Sequence, residues 1–155
     1  MHLILPFPEL LELATAEKPL PAAVERVNCV GSTVFVTLNP ESVLPRMLRA
    51  AAPRVRLELR FLGFVAGVAT FELHTDVLAL PVHRLINLLV AAIPLPAGVR
   101  IDKGDPAPRV AVDVQGLIDA RVTGLALDEL HLFEGDLVAV ATLRGFRTRP
   151  TKKQP

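Results

Sequence analysis

The clearest pattern in the chain is an alternation of apolar and polar residues in two neighbouring stretches, 54–61 and 71–76. Because successive side chains of a strand point to opposite faces, this period of two predicts strands with one dry face, which is apolar and buried, and one wet face, which is polar and exposed to solvent. Gly63 and Gly67 lie between the two stretches, where glycine favours a hairpin bend or coiling of the sheet. The apolar positions of the predicted hairpin include Leu57, Leu59, Phe61, Phe71 and Leu73.

The stretch 78–101 is the most apolar in the chain, and prolines interrupt it near both ends. The part that suits a helix, roughly 12 residues within 81–93, would be about 18 Å long, which is too short for the ~30 Å core of a bilayer. His83 and Arg84 lie on one narrow polar stripe of this helix. A helix whose remaining surface is apolar is normally packed against other parts of the protein on several sides. The apolar positions of this helix include Leu85, Leu88, Leu89 and Ile93.

Weaker patterns on either side of these segments predict the remaining elements. Runs of β-branched residues predict hairpins in 24–38 and 125–143, and a capped segment containing prolines predicts a short helix in 39–52. We therefore predict an α+β fold, in which a curved antiparallel β-sheet wraps around one long apolar helix, with one short helix in addition. The predicted organisation is a proline-rich N-terminal arm over 1–23, a single α+β domain over 24–143 and a basic flexible tail over 144–155.

Composition narrows the class of protein. With 155 residues, 51% of them apolar and 21% charged, the chain is large enough for one hydrophobic core and is unlike a disordered segment. The first residues lack the basic start of a secretory signal. Cys29 is the single cysteine, so an internal disulfide is impossible and a reducing compartment, the cytoplasm, is expected.

The basic residues are concentrated near the C-terminal end of the sequence. Five of the 17 follow residue 143, and the remaining 12 stand against 16 acidic residues, which leaves 1–143 with a net charge of −4. Such a cluster favours peripheral contact with an anionic membrane or another polyanion, although a solvated terminus has the same composition. The chain has no Trp or Tyr to stack on bases, so no specific nucleic-acid binding is predicted. The five residues are Arg144, Arg147, Arg149, Lys152 and Lys153.

Sequence motifs that carry chemistry are missing from the chain. There is no GxGxxG or GxxxxGK[ST] phosphate loop, no CxxC or HExxH metal motif and no GxSxG nucleophile elbow. His74, Asp76 and His83 have the residue types of a metal or acid–base site, but without identifiable supporting residues a solvated strand end is the preferred interpretation. We therefore predict no catalytic residue, metal or cofactor, and the protein is not expected to be an enzyme.

The hairpin sequence DELHLFEGDLVAVA, together with a long apolar helix, resembles the tubular lipid-binding (bactericidal/permeability-increasing protein-like) superfamily. The resemblance is one of pattern and covers about residues 24–143. It implies a strongly curved antiparallel sheet around a long helix, with an apolar groove that accepts acyl chains.

The large supply of apolar residues and the small number of catalytic groups favour non-catalytic binding of an apolar ligand, such as a fatty acid or lipid tail, by a carrier or sensor. The apolar residues of the predicted helix and hairpin are the expected ligand contacts. Expected head-group partners are His83 and Arg84 on the helix, or Arg56 and Arg60 on the strand. The alternative is a homodimeric interaction or structural module without a small ligand, in which arm residues 3–21 cross to a second subunit.

Overall fold

The computed structural model describes residues 1–16, 19–49, 54–75, 81–104 and 107–148. In chain order its elements are β1 (His2–Pro6), α1 (Phe7–Thr15), β2 (Val24–Val30), β3 (Thr33–Leu38), α2 (Pro40–Val43), α3 (Arg46–Arg49), β4 (Val55–Val65), β5 (Val68–Thr75), α4 (Val82–Ala92), β6 (Val99–Asp102), β7 (Arg109–Asp113), α5 (Val114–Asp119), β8 (Val122–Phe133) and β9 (Asp136–Thr148). The described strands form a six-stranded sheet, ordered β2-β3-β4-β5-β7-β6, and a three-stranded sheet, ordered β1-β9-β8. Every neighbouring pair in both sheets is antiparallel.

The strand pair predicted from the alternating residues is confirmed. β4 and β5 pair with Leu59 opposite Leu73 and Phe61 opposite Phe71. The register shifts between Phe61 and Gly63, because Leu62 has no partner on β5, as in a β-bulge. The dry face of this pair is the surface on which the rest of the core packs.

Helix α4 lies within the apolar stretch and covers part of this dry face. It begins after Pro81, since a helix start does not need that residue's missing N–H, and it ends where Ile93 N–H donates to Leu89 O (2.8 Å). Leu85 and Ile86 are 0% exposed, so α4 is a core element. The buried residues clustered with them come from α4 itself, from the turn before β2, from β3, β4, β5 and β7, and from the α2 region: Leu89, Ala23, Leu38, Val55, Leu57, Leu73, Val110, Val43 and Leu44.

The three-stranded sheet packs against the other end of β4 and β5. A second core cluster joins Ala69 of β5 to Leu130 of β8 and Ala139 of β9, all of them buried. Phe61 and Phe71 pack against this cluster, and their rings meet edge to face with centroids 5.5 Å apart. The β4–β5 pair is therefore the part of the molecule that joins α4 to the small sheet.

The predicted fold class, a curved sheet wrapped around one long apolar helix, is wrong. The described residues form two sheets with short helices, and the longest of these helices, α4, has 11 residues. The apolar composition of α4 has a different cause: Leu85, Ile86 and Leu89 pack between the six-stranded sheet and the side chains of Val43 and Leu44, while Arg84, Asn87 and Val90 are exposed. A short helix with neighbours on several sides needs apolar residues on several sides, without being enclosed by a curved sheet. Within the described ranges, no helix is long and apolar enough to cross a membrane.

At both ends of the described chain, strands lie where the sequence predicted an arm and a tail. Residues 2–6 form β1, which pairs with β9 so that His2 lies opposite Val140. β9 continues through 144–148, and Thr148 lies opposite Val122 of β8. The three-stranded sheet is thus assembled from segments that are far apart in sequence.

Candidate ligand-binding groove

The apolar residues predicted to contact a ligand lie in the core. Leu57, Leu73, Leu85 and Leu89 are all buried and belong to the cluster beneath α4. The structure therefore brings these side chains together by packing them against one another. Partly buried members of the predicted set that border the two core clusters are Leu59, Phe61, Phe71, Leu88 and Ile93.

The two alternative pairs of predicted head-group partners lie on opposite faces of the six-stranded sheet. His83 and Arg84 lie on α4, half-buried and exposed respectively, on the core side of the six-stranded sheet. Arg56 and Arg60 alternate with the buried residues of β4 and so lie on its opposite, exposed face. There the Arg56 guanidinium lies over the Phe35 ring, 4.2 Å from its centroid. The two pairs are separated by the thickness of the sheet.

The predicted group of His74, Asp76 and His83 is not brought together within the described residues. His74 follows the buried Leu73 on β5 and so lies on the sheet face opposite α4, which carries His83. His74 Nε2 is in hydrogen-bond contact with Glu72 Oε1, and Glu58 lies directly opposite on β4. Asp76 falls outside the described residues. In the part of the chain that the structure describes, no group of three or more His, Cys, Asp or Glu side chains is placed to hold a metal ion.

The residues predicted to contact a membrane lie at the end of β9 and after it. Arg144 is exposed, and Arg147 is paired through its backbone position with β8. Arg149, Lys152 and Lys153 lie outside the described residues. The first part of the basic cluster is therefore held in a strand.

A groove of about 580 Å³ lies between α1 and the edge strand β2. Two residues that follow α1, Pro19 and Leu20, complete its wall. The lining is mainly apolar, with the polar side chains of Glu12, Thr15 and Asn28 among it. The full lining is Phe7, Pro8, Leu11, Glu12, Thr15, Pro19, Leu20, Val27, Asn28 and Cys29.

The sequence of α1 explains why this space stays open. Phe7 and Leu11 are four residues apart, so they share the side of the helix that borders the groove. Pro8 occupies the first turn, where its missing N–H is tolerated, and Thr15 Oγ1 donates to Leu11 O (2.7 Å) in the last turn. None of the nine residues of α1, all of them described, is fully buried. The helix therefore covers the edge strand without filling the space above it.

The tip of the β8–β9 hairpin fastens one end of the groove. Gly135 N–H donates to Gly31 O (3.0 Å) in the β2–β3 turn, and Gly135 O accepts from Phe7 N–H (3.1 Å) at the start of α1. Both glycines have positive φ, 63° for Gly31 and 80° for Gly135, a conformation that is strained for residues with a Cβ. One residue of the hairpin therefore links α1 to the turn that follows β2.

Cys29 lies in the groove in surroundings that disfavour its charged form. Burial raises the pKa of the Cys29 thiol, and the carboxylate of Asp136 raises it further. The Cys29 thiol also lies 3.7 Å from Gly31 O, the distance of a weak sulfur hydrogen bond. The side chain is therefore a neutral part of the lining at neutral pH.

Sequence reasoning missed this groove because it assigned 1–23 to an arm. Phe7, Leu11 and Leu20 lie in that segment, and Val27 and Cys29 were given no ligand-binding role. The available signal was the helical spacing of Phe7 and Leu11 ahead of a predicted hairpin. An apolar helix face of this kind indicates a helix that covers a neighbouring surface.

Comparison with protein-family models, with curated proteins and with solved structures found no match. The resemblance of the hairpin sequence to the tubular lipid-binding superfamily therefore stays a prediction from pattern. The architecture that it implies differs from the one observed, which has two sheets and short helices.

Proposed function

We propose that this protein binds an apolar ligand, such as a lipid tail, in the groove between α1 and β2, as a non-catalytic carrier or sensor. The observation that carries the proposal is a groove of about 580 Å³ with a mainly apolar lining. Small-molecule sites typically have volumes of ~300–1,000 Å³ and apolar walls with a few polar groups that orient the ligand. Glu12, Thr15 and Asn28 supply such polar groups.

The chemistry of the lining supports binding rather than catalysis. Cys29 is the residue there with the greatest intrinsic nucleophilicity, but its raised pKa keeps it as a thiol, and the thiolate is the reactive form. Among the described lining residues there is no histidine to act as its base. The single cysteine is also the reason to propose that the protein works in a reducing compartment, the cytoplasm.

Native mass spectrometry of the protein purified from cells tests this function, and the expected result is a co-purified apolar ligand seen as added mass. Leu20→Asp places a charge in the lining and should remove most of that ligand. Leu13→Asp, at a position of α1 outside the lining, is the matched control and should retain it. Leu20 and Leu13 are 39% and 63% exposed, so both variants should fold. Wild-type protein that is empty and also fails to bind Nile red would contradict the proposal.

A second candidate function, a homodimeric module, is favoured by the open edge of β1. In an antiparallel pair, the backbone N–H and C=O groups of successive residues point alternately toward and away from the partner strand. Phe7 N–H donates to Gly135 O, so the odd-numbered residues hydrogen-bond to the β9 side. The backbone groups of Ile4 therefore point outward, away from β9. Leu3 and Ile4 are 51% and 65% exposed. An exposed apolar edge strand is a template for pairing with another chain, here a second copy.

Sedimentation equilibrium separates the two candidates. If β1 pairs with a second copy, Ile4→Lys should convert a dimer into a monomer, because charged side chains block edge pairing. Val65→Lys, at a 77% exposed position of the β4–β5 hairpin, is the matched control and should leave the dimer intact. A monomer that carries ligand supports the carrier, whereas an empty dimer that Ile4→Lys dissociates supports the module.

Peripheral contact with an anionic membrane is the route by which we propose that such a carrier loads. Each Lys or Arg near an anionic surface contributes about 1 kcal/mol. Because the described part of β9 runs to Thr148, truncation after that residue removes Arg149, Lys152 and Lys153 and keeps every described residue of the strand. Salt-sensitive binding to phosphatidylserine vesicles should weaken on this truncation. Equal binding by the truncated protein would contradict the membrane contact and leave the groove unaffected.

A further inference from the structure

We infer that the groove selects apolar ligands whose head group is a protonated amine. This inference rests on the proposed function and adds the class of head group. Glu12 is the one carboxylate among the described lining residues, and no Lys, Arg or His side chain is found among them. An alkylammonium ion offers an apolar chain for the walls and a positive charge for this carboxylate.

The two elements that build the groove carry an excess of negative charge. α1 contains two glutamates and no cation, and β2 contains one glutamate and one arginine. Asp136 adds to this charge from the β8–β9 hairpin, since its carboxylate acts on the pKa of Cys29. That effect on Cys29 is a separate sign that negative potential reaches the lining.

Glu12 is placed to be the head-group partner. Its side chain is exposed, and within the described part of the chain it forms no ion pair. Thr15 and Asn28 also line the groove, and each has an oxygen that accepts a hydrogen bond. Three acceptors suit the three N–H donors of an ammonium group. A carboxylate or phosphate head group would instead lie beside Glu12, and the described lining residues offer no cation to offset the repulsion.

Isothermal titration calorimetry with decylamine, decanol and decanoate tests the inference, because these probes share a chain length and differ in head group. At pH 7 and low salt, decylamine should bind about tenfold more tightly than decanol, and decanoate should bind most weakly. Glu12→Gln should abolish the difference between decylamine and decanol. Glu9→Gln, on the same helix but outside the lining, is the matched control and should preserve it.

The outcomes distinguish this inference from the proposed function. Equal binding of the three probes would overturn the choice of head group and leave the apolar groove standing. Binding of none of them would overturn both. Tighter binding of decanoate than of decylamine would also overturn the inference. Lys18→Ala is measured alongside, because Lys18 directly precedes the lining residue Pro19 in the sequence and is a cation that a carboxylate could bind. Loss of a decanoate preference in that variant would identify the responsible cation.

Discussion

Two short helices, α4 and α1, share a similar sequence pattern and have different surroundings in the structure. Each carries apolar residues at helical spacing, over 11 residues in α4 and 9 in α1. In α4, Leu85 and Ile86 are 0% exposed, whereas none of the nine residues of α1 is buried. One helix completes the core, and the other forms the wall of a groove.

The neighbours of the two helices account for this difference. α4 lies over the interior strands of the six-stranded sheet and is covered further by Val43 and Leu44. α1 lies over the edge strand β2, and loop residues and the hairpin tip at Gly135 complete its surroundings. An apolar helix face therefore indicates contact with another surface. The number of sides on which neighbours pack decides whether that contact becomes buried core or an open groove.

Alanine substitution at one leucine of each helix should give the largest contrast. Leu85→Ala removes a fully buried side chain and should lower the free energy of unfolding by about 2–5 kcal/mol. Leu11→Ala removes a half-buried side chain that borders the groove and should lower it by about 1 kcal/mol. Urea titration followed by circular dichroism measures both values.

Leu13→Ala is the control for the helix propensity of alanine, because Leu13 lies on α1 and is 63% exposed. Its effect should stay within about 0.5 kcal/mol. If Leu11→Ala and Leu85→Ala cost the same, α1 is packed as tightly as α4 and the contrast between the helices is lost.

A smaller effect is expected where the hairpin tip holds α1. Gly135 has a φ of 80°, and a Cβ there would lie 3.4 Å from Cys29 O. Gly135→Ala should therefore lower the free energy of unfolding by about 1–2 kcal/mol. Amide hydrogen exchange at Phe7 should become faster, since this N–H donates to Gly135 O, while exchange in α4 should stay unchanged. Gly63→Ala, whose Cβ would meet no atom within 4 Å, is the control. Faster exchange in both helices would show that the tip does not act on α1 alone.

The smallest effect concerns the reactivity of Cys29 in the groove. Burial and Asp136 raise its pKa, so the thiolate is scarce at pH 7 and iodoacetamide should react more slowly than with the unfolded chain. Asp136→Asn removes the second cause, which should lower the pKa and raise the rate several-fold. In the wild type the rate should climb as the pH rises through the raised pKa. Mass spectrometry of the alkylated protein gives the rates, and equal rates in the two proteins would show that negative charge does not reach the groove.

Local periodicity was sufficient for the elements that depend on neighbouring residues. The alternation in 54–61 and 71–76 predicted β4 and β5, and the proline positions predicted the bounds of α4 to within one residue at each end. These signals reflect the repeat of a strand or helix, and this repeat can be read from the residues of the element alone.

The assembly of the elements could not be predicted in the same way. The apolar pattern around Leu57 and Leu85 is the same whether these residues line a pocket or pack against each other. Their burial in one cluster, which only the structure shows, identifies them as core residues. The groove depends on Phe7 of α1 lying close to Val27 of β2, a relation between two elements that neither periodicity contains. The two-sheet arrangement likewise depends on β1 pairing with β9, and the sequence HLILP does not indicate its partner.

The pairing of β1 with β9 also sets an order of events during synthesis. Of the described strands, β1 is translated first and β9 last, so His2 waits until Val140 has been made. Closing so long a loop carries an entropic cost, and contacts between distant segments form slowly. The same wait applies to α1, because its hydrogen bond to Gly135 needs the finished hairpin. The core beneath α4 can consolidate earlier, while the apolar residues of β1 and α1 are still uncovered and open to aggregation. The groove between α1 and β2 is thus among the last parts of the structure to form.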